Sequence, residues 1–149
     1  MPPRELDLQD ADKLSIAQTV FGEGAGADAD FQKMVIQTIL NRYLSGRTQE
    51  FGDSIQDIAY KGYEAVKNPN DPYKLITSGE PLDPSSAQSF GQIKTLLEAI
   101  IADKDYGKSM FYFKPEEEEG LRAKGQKAFN FDLVNPTGMV GDYRTYGYK

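Results

Sequence analysis

Chemistry in this chain has to come from carboxylates. The sequence has no His and no Cys, which excludes Ser-His-Asp and Cys-His machinery, imidazole proton shuttles, thiolate or imidazole zinc sites and disulfides. Tyr, Lys, Arg and Ser remain as supporting groups. Among the carboxylates, Glu23 stands apart by its setting. It follows an apolar run, Leu14 to Phe21, sits between Gly22 and Gly24, and precedes a second apolar run, Phe31 to Leu40. A carboxylate at a helix end between two core-forming helices is placed to sit half-buried at a cleft. Desolvation there disfavours the charged form and raises the pKa. A carboxyl group that keeps its proton near neutral pH can serve as a general acid. The plainer alternative is that Gly22 and Gly24 stop a helix and Glu23 points into water.

The elements that must position this residue follow from patterning. Asp7 or Asp10 is expected to cap a first helix whose Leu14, Ala17, Val20 and Phe21 form its buried stripe. Gly22 to Gly26 should break that helix, and Asp28 should cap the next. In the second helix Phe31, Met34, Val35, Ile36, Ile39 and Leu40 cover more than one face, which marks it as central to the core. It should end near Ser45, with Gly46 just beyond. Arg47 to Gly52 reads as a loop, Ser54 as the cap of a short helix carrying Ile55, Ile58 and Ala59, and Lys67 to Pro84 as a long surface loop. Asp83 and Pro84 open the clearest helix, with Phe90, Ile93, Leu96, Leu97, Ile100 and Ile101 on one face and Gly107 ending the segment. Ser109 to Phe113 is a strand candidate. Glu116 to Glu119 reads as the solvated first turn of a short helix, with a metal site as the alternative. Asn135 to Gly138 reads as the turn of a terminal hairpin between Leu133-Val134 and Met139-Val140.

Composition bounds the class. At 149 residues the chain is expected to be one domain, residues 1–149, with a single core. A net charge of −6 argues against a nucleic-acid partner, whose phosphates call for a basic face. No apolar run approaches the roughly 20 residues of a membrane span. The polar start, Met1 to Asp7, lacks the apolar segment of a signal peptide. Trp is absent, but 9 Tyr and 8 Phe can supply stacking faces for a ligand.

Four blocks then carry a resemblance. Ile16 to Glu23 (IAQTVFGE) with Val35 to Arg42 (VIQTILNR), Tyr63 to Val66 (YEAV), Met110 to Pro115 (MFYFKP) and Val140 to Arg144 (VGDYR) resemble, in order, the spore-cortex and cell-wall hydrolases of the SleB/CwlJ type. The resemblance runs from about Leu14 to about Tyr146. It implies an α+β fold, a mostly helical lysozyme-like domain with a small antiparallel sheet or hairpin in the C-terminal half. It implies cleavage of peptidoglycan glycan strands without cofactor or metal, with Glu23 matching the family's catalytic glutamate. Tyr63, Tyr112 and Tyr143 are then expected along one wall of a substrate groove.

In a lytic transglycosylase one carboxylate suffices, because the muramic 6-hydroxyl is the nucleophile. An N-acetylmuramidase-type hydrolase needs a second, for which Glu64 is the candidate; the bland alternative pairs Glu64 with Lys61 or Lys67 on the surface. The chain departs from the family pattern at Ala27, where an acidic residue is often found, at Lys114 in place of Asn, at Tyr143 in place of His, and at Glu64 in place of a small hydroxyl residue. Three readings stay open: the lytic enzyme, a non-catalytic glycan-binding or virion assembly module of the same fold, and an unrelated soluble domain with a structural Glu23. A virion-associated protein, or one released by lysis, would reach the wall without a signal peptide, through a virion or other protein partner.

Overall fold

The computed structural model describes residues 4–149; Met1, Pro2 and Pro3, the start of the polar N-terminal stretch, lie outside the described residues. The fold is α+β, with eight helices and a small antiparallel sheet among the described residues. Helices α1 (Asp10–Gly24) and α2 (Ala29–Leu44) lead into four short ones, α3 (Thr48–Phe51), α4 (Ile55–Gly62), α5 (Glu64–Lys67) and α6 (Asp71–Thr77). The long α7 (Pro84–Asp103) precedes strand β1 (Phe111–Phe113), α8 (Pro115–Lys124), a 3-10 turn (Phe131–Leu133), β2 (Val134–Val140) and β3 (Tyr143–Tyr148).

Helix α2 is the centre, as its all-round apolar pattern requires. Met34, Val35, Ile36, Ile39 and Leu40 are all buried, and Val35, Ile36, Ile39 and Leu40 share one core with Ile16, Val20 and Phe21 of α1, Ile58 of α4, and Ile93 and Leu97 of α7. Several helix ends follow the local chemistry. Asp28 accepts from the Phe31 N–H at 2.9 Å, Ser54 from the Asp57 N–H at 3.1 Å and Asp83 from the Ser86 N–H at 3.2 Å. Gly46 adopts positive φ just past α2. Glu116 to Glu119 do fall in the first turns of α8, where the helix dipole favours them.

Other expectations are corrected. The cap position of α1 is Gln9, neither Asp7 nor Asp10, and the Asp12 carboxylate accepts from the Gln9 N–H. Leu14 lies 47% exposed; the buried stripe keeps the expected Ala17, Val20 and Phe21 and takes Ile16 in place of Leu14. Arg47 to Gly52 contains the single turn α3, and the loop expected over Lys67 to Pro84 contains α6, nucleated by the Asn70 cap and Pro72. Helix α7 stops at Lys104, which takes the left-handed conformation, ahead of Gly107. The hairpin exists, but its turn is Gly141-Asp142, with Gly141 at positive φ. Asn135 to Gly138 lie inside β2. That strand is an edge in the order β1-β3-β2, where a proline displaces no partner, and an irregularity between Pro136 and Gly138 absorbs the misfit.

The sheet is fixed to α2 by side chains at the helix end. Asn41 Nδ2 donates to the carbonyls of Tyr106 (2.8 Å) and Ser109 (3.0 Å), and Arg42 Nε to that of Met110 (2.8 Å). The buried hydroxyls of Thr38 and Ser109 meet at 2.7 Å. These bonds set the height at which Tyr112 is presented.

Candidate active site

Glu23 occupies the last turn of α1, and the helix runs through both flanking glycines instead of breaking there. What the glycines provide is close approach. A Cβ on Gly22 would lie 3.0 Å from Tyr73 and 3.2 Å from Ala65, and one on Gly24 would lie 2.4 Å from the Phe31 ring. Helices α5 and α6 thus press on one side of Glu23 and the start of α2 on the other. The Asn70 amide donates to the Gly22 carbonyl at 2.8 Å and ties α6 to this helix end.

The Glu23 carboxyl is half-buried. Burial pushes its pKa above the usual carboxylate value, a hydrogen bond from the Ala65 N–H opposes the shift, and the Glu64 charge adds to it. The C-terminal end of α1, with no basic residue in its last turn, offers the carboxylate no help. This carboxyl faces a groove of about 540 Å³. One wall is the α1–α2 connection with Ala27 and Phe31; the other is Lys114 with the β2–β3 turn, including Asp142 and Tyr143. The rings of Phe31 and Tyr143 lie 5.3 Å apart, and the Lys114 ammonium sits 5.4 Å from the Tyr143 ring centre.

The other expected site residues fall in different places. Tyr143 lines the groove, whereas Tyr112, expected on the same wall, is not among the lining residues and instead packs its ring edge to face against Tyr143 at 5.5 Å. Burial pushes the Tyr112 hydroxyl well up, with the Tyr63 and Glu23 charges adding and Arg42 opposing. Tyr63 does not form groove wall: it is only 3% exposed and offers no ring face to a ligand. Its pKa is raised too, by burial first, against the lowering effect of Arg42. Glu64 is exposed, outside the groove lining, and accepts from the Asn68 amide at 2.5 Å; it pairs with neither Lys61 nor Lys67. Among the described residues no group of three or more acidic side chains, Glu116 to Glu119 included, converges as a metal site.

Two features were not visible in the sequence. Arg42 is enclosed by the rings of Phe51 (5.0 Å), Phe111 (5.2 Å) and Tyr63 (5.5 Å), and among the described residues no carboxylate lies within ion-pairing distance of it. Gly62 makes room for it, since a Cβ there would lie 2.5 Å from Nη1. Beside it, the Tyr63 hydroxyl is the one buried side-chain polar atom among the described residues without a hydrogen-bond partner of normal geometry, although the Tyr112 hydroxyl is its neighbour. An unpartnered buried hydroxyl costs about 1–3 kcal/mol. Long-range packing brings these groups together, so no local motif could have announced them.

The arrangement can supply a proton from Glu23 to a ligand in the groove, and hold that ligand against two aromatic rings. No protein-family model, curated protein or solved structure matches this chain.

Proposed function

We propose that the groove binds a peptidoglycan glycan strand and that Glu23 cleaves it as a lytic transglycosylase. The observation that carries this reading is a single half-buried carboxyl, held towards its protonated form, facing a groove walled by Phe31 and Tyr143. The order of the four sequence blocks that resemble the SleB/CwlJ-type hydrolases supports it. Glu23 gives its proton to the glycosidic oxygen as the C1–O bond breaks, and the leaving sugar departs as an alcohol. The muramic 6-hydroxyl adds to C1, and the Glu23 carboxylate takes that hydroxyl's proton. The ring closes as the 1,6-anhydro sugar and the acid is restored.

Hydrolysis with Glu64 assisting is the second enzymatic reading, since the Glu64 charge does reach Glu23. Its exposure and its bond to Asn68 favour the one-carboxylate route; Glu64→Gln should keep most activity. A non-catalytic glycan-binding or virion assembly role draws support from one observation, that the departures Ala27, Lys114 and Tyr143 all line the groove. No helix among the described residues is long and apolar enough to cross a membrane. Delivery to the wall by a virion or other protein partner fits the same reading.

The test is turbidity loss of purified murein. The intact protein should clear it, and Glu23→Gln should lose roughly a hundredfold to ten-thousandfold in rate, the usual worth of a general acid. Binding without clearing would favour the non-catalytic role, and equal clearing by the variant would remove Glu23 from the chemistry.

A further inference from the structure

Helix α1 runs out of its own hydrogen bonds where Glu23 sits. The carbonyls of a helix's last four residues have no partner within the helix, and in α1 these belong to Phe21, Gly22, Glu23 and Gly24. The turn that follows serves Gly24, since the Ala27 N–H donates to its carbonyl at 2.9 Å. It does not serve Gly22. Gly26, which would continue the helical pattern, takes positive φ, and its N–H donates to the Ser89 hydroxyl of α7 at 3.4 Å. The Gly22 carbonyl instead accepts from Asn70 Nδ2 at 2.8 Å, across 48 residues of sequence. Asn70 cannot turn its amide over without losing the cap of α6, because Oδ1 accepts from the Tyr73 N–H at 2.9 Å. Among the described residues no other hydrogen bond joins α6 and its cap to α1.

We infer that Asn70 is a positioning residue for Glu23, fixing through the Gly22 carbonyl the peptide unit from which Glu23 projects into the groove. The Gly22 carbonyl and the Glu23 N–H belong to one planar peptide, so holding that oxygen holds the plane on which the Glu23 Cα depends. Without such a bond the last turn of a helix frays, and a glycine on each side of Glu23 leaves the backbone free to follow. Tyr73 and Ala65 pack against Gly22 and limit how far it can shift. Packing does not set the rotation of the peptide, whereas a directional hydrogen bond does. Misplacing a reacting group by about 1 Å can cost roughly a hundredfold in rate. A side chain that never meets the ligand can therefore govern the chemistry. Asn70 is such a residue, exposed and outside the groove lining. Its oxygen starts α6, and its nitrogen aims Glu23.

Substitution separates the two tasks. Asp and Ser cap helices about as well as Asn, but neither offers an amide N–H to Gly22, and Ser adds no charge. Asn70→Asp and Asn70→Ser should therefore keep α6 and hold the melting temperature within about 4 °C of the parent. Asn70→Ala loses the cap as well and should melt lower than either. In both capped variants the Gly22 carbonyl-carbon resonance should move upfield and the Glu23 amide signal should broaden. On murein both should lose about tenfold in kcat while KM stays within about twofold, because aim is lost and the groove is not. Unmoved Gly22 and Glu23 resonances, or a parental kcat in the capped variants, would reduce Asn70 to a helix cap and overturn the inference. A raised KM at unchanged kcat would overturn it too, by placing Asn70 in ligand binding. The kcat arm rests on the transglycosylase reading: wild-type protein inert on murein sinks that reading, while the two resonances still decide the positioning.

Discussion

The two faces of the sheet use the same residue types for opposite ends. Behind β1, Phe111, Phe113, Phe129, Phe131 and Tyr146 pack ring against ring at 4.7–6.1 Å, most of them edge to face. The tyrosines of β3 on that side, Tyr146 and Tyr148, hand their hydroxyls to Glu118 and Glu50. In front, Tyr143 lines the groove with Tyr112 packed edge to face against it, Phe31 closes on Tyr143, and the buried Tyr63 hydroxyl is left without a hydrogen-bond partner of normal geometry. Strand alternation makes the division, since Tyr112 opposes Thr145 while its neighbours oppose Tyr146 and Arg144. The rear cluster is finished as a piece of core. The front leaves one buried hydroxyl without a bond of normal geometry, at a cost to stability.

The contrast can be broken by substitution, and the largest effect should come from the rear. Phe113→Ala removes a ring that touches Phe129, Phe131 and Tyr146, and should cost about 3 kcal/mol, or roughly 6–12 °C in melting temperature. Murein cleavage by the protein that remains folded should be nearly unchanged. Tyr112→Phe should do the reverse, lowering turnover about tenfold, roughly 1.4 kcal/mol, with little change in melting. A large melting drop at normal activity would place Tyr112 with the rear cluster.

Tyr146→Phe sharpens the comparison of hydroxyls. It removes a bond to a carboxylate, and should cost about 1 kcal/mol by chemical denaturation, whereas Tyr63→Phe should cost nothing. Equal losses would mean that the two faces are not different in kind. The smallest effect belongs to Glu23→Gln, read as stability. A raised native pKa means that the folded state binds more protons than the unfolded chain between the two pKa values. Stability from this group therefore falls as pH rises through that window. The variant should melt slightly higher than the parent at pH 7 and match it more closely at pH 4. A lower melting point at pH 7 would assign Glu23 a structural role.

Much of the fold was legible because local signals agreed with the final packing. The all-round apolar pattern of α2, the caps Asp28, Ser54 and Asp83, and the face of α7 each express a preference that the tertiary structure keeps. Errors arose where packing overruled a local signal. Gly22 and Gly24 look like helix stops but serve close approach, and Asn135 to Gly138 looks like a turn but is accommodated in an edge strand. At the site, the placing of Glu23 at a half-buried helix end followed from its flanking runs. Tyr63 and Arg42 could not be placed, because their roles depend on contacts between α2, α4 and β1 that no spacing encodes.

The most direct measurement is mass spectrometry of the products formed from purified peptidoglycan by the intact protein and by Glu23→Gln. With one carboxylate acting as acid and then base, the intact protein should release muropeptides ending in 1,6-anhydromuramic acid, and the variant should release almost none. Products with only reducing ends would move the chemistry to hydrolysis and bring Glu64 into it. Identical products and yields from both proteins, or none from either, would contradict the assignment of Glu23 as the group that cleaves the strand.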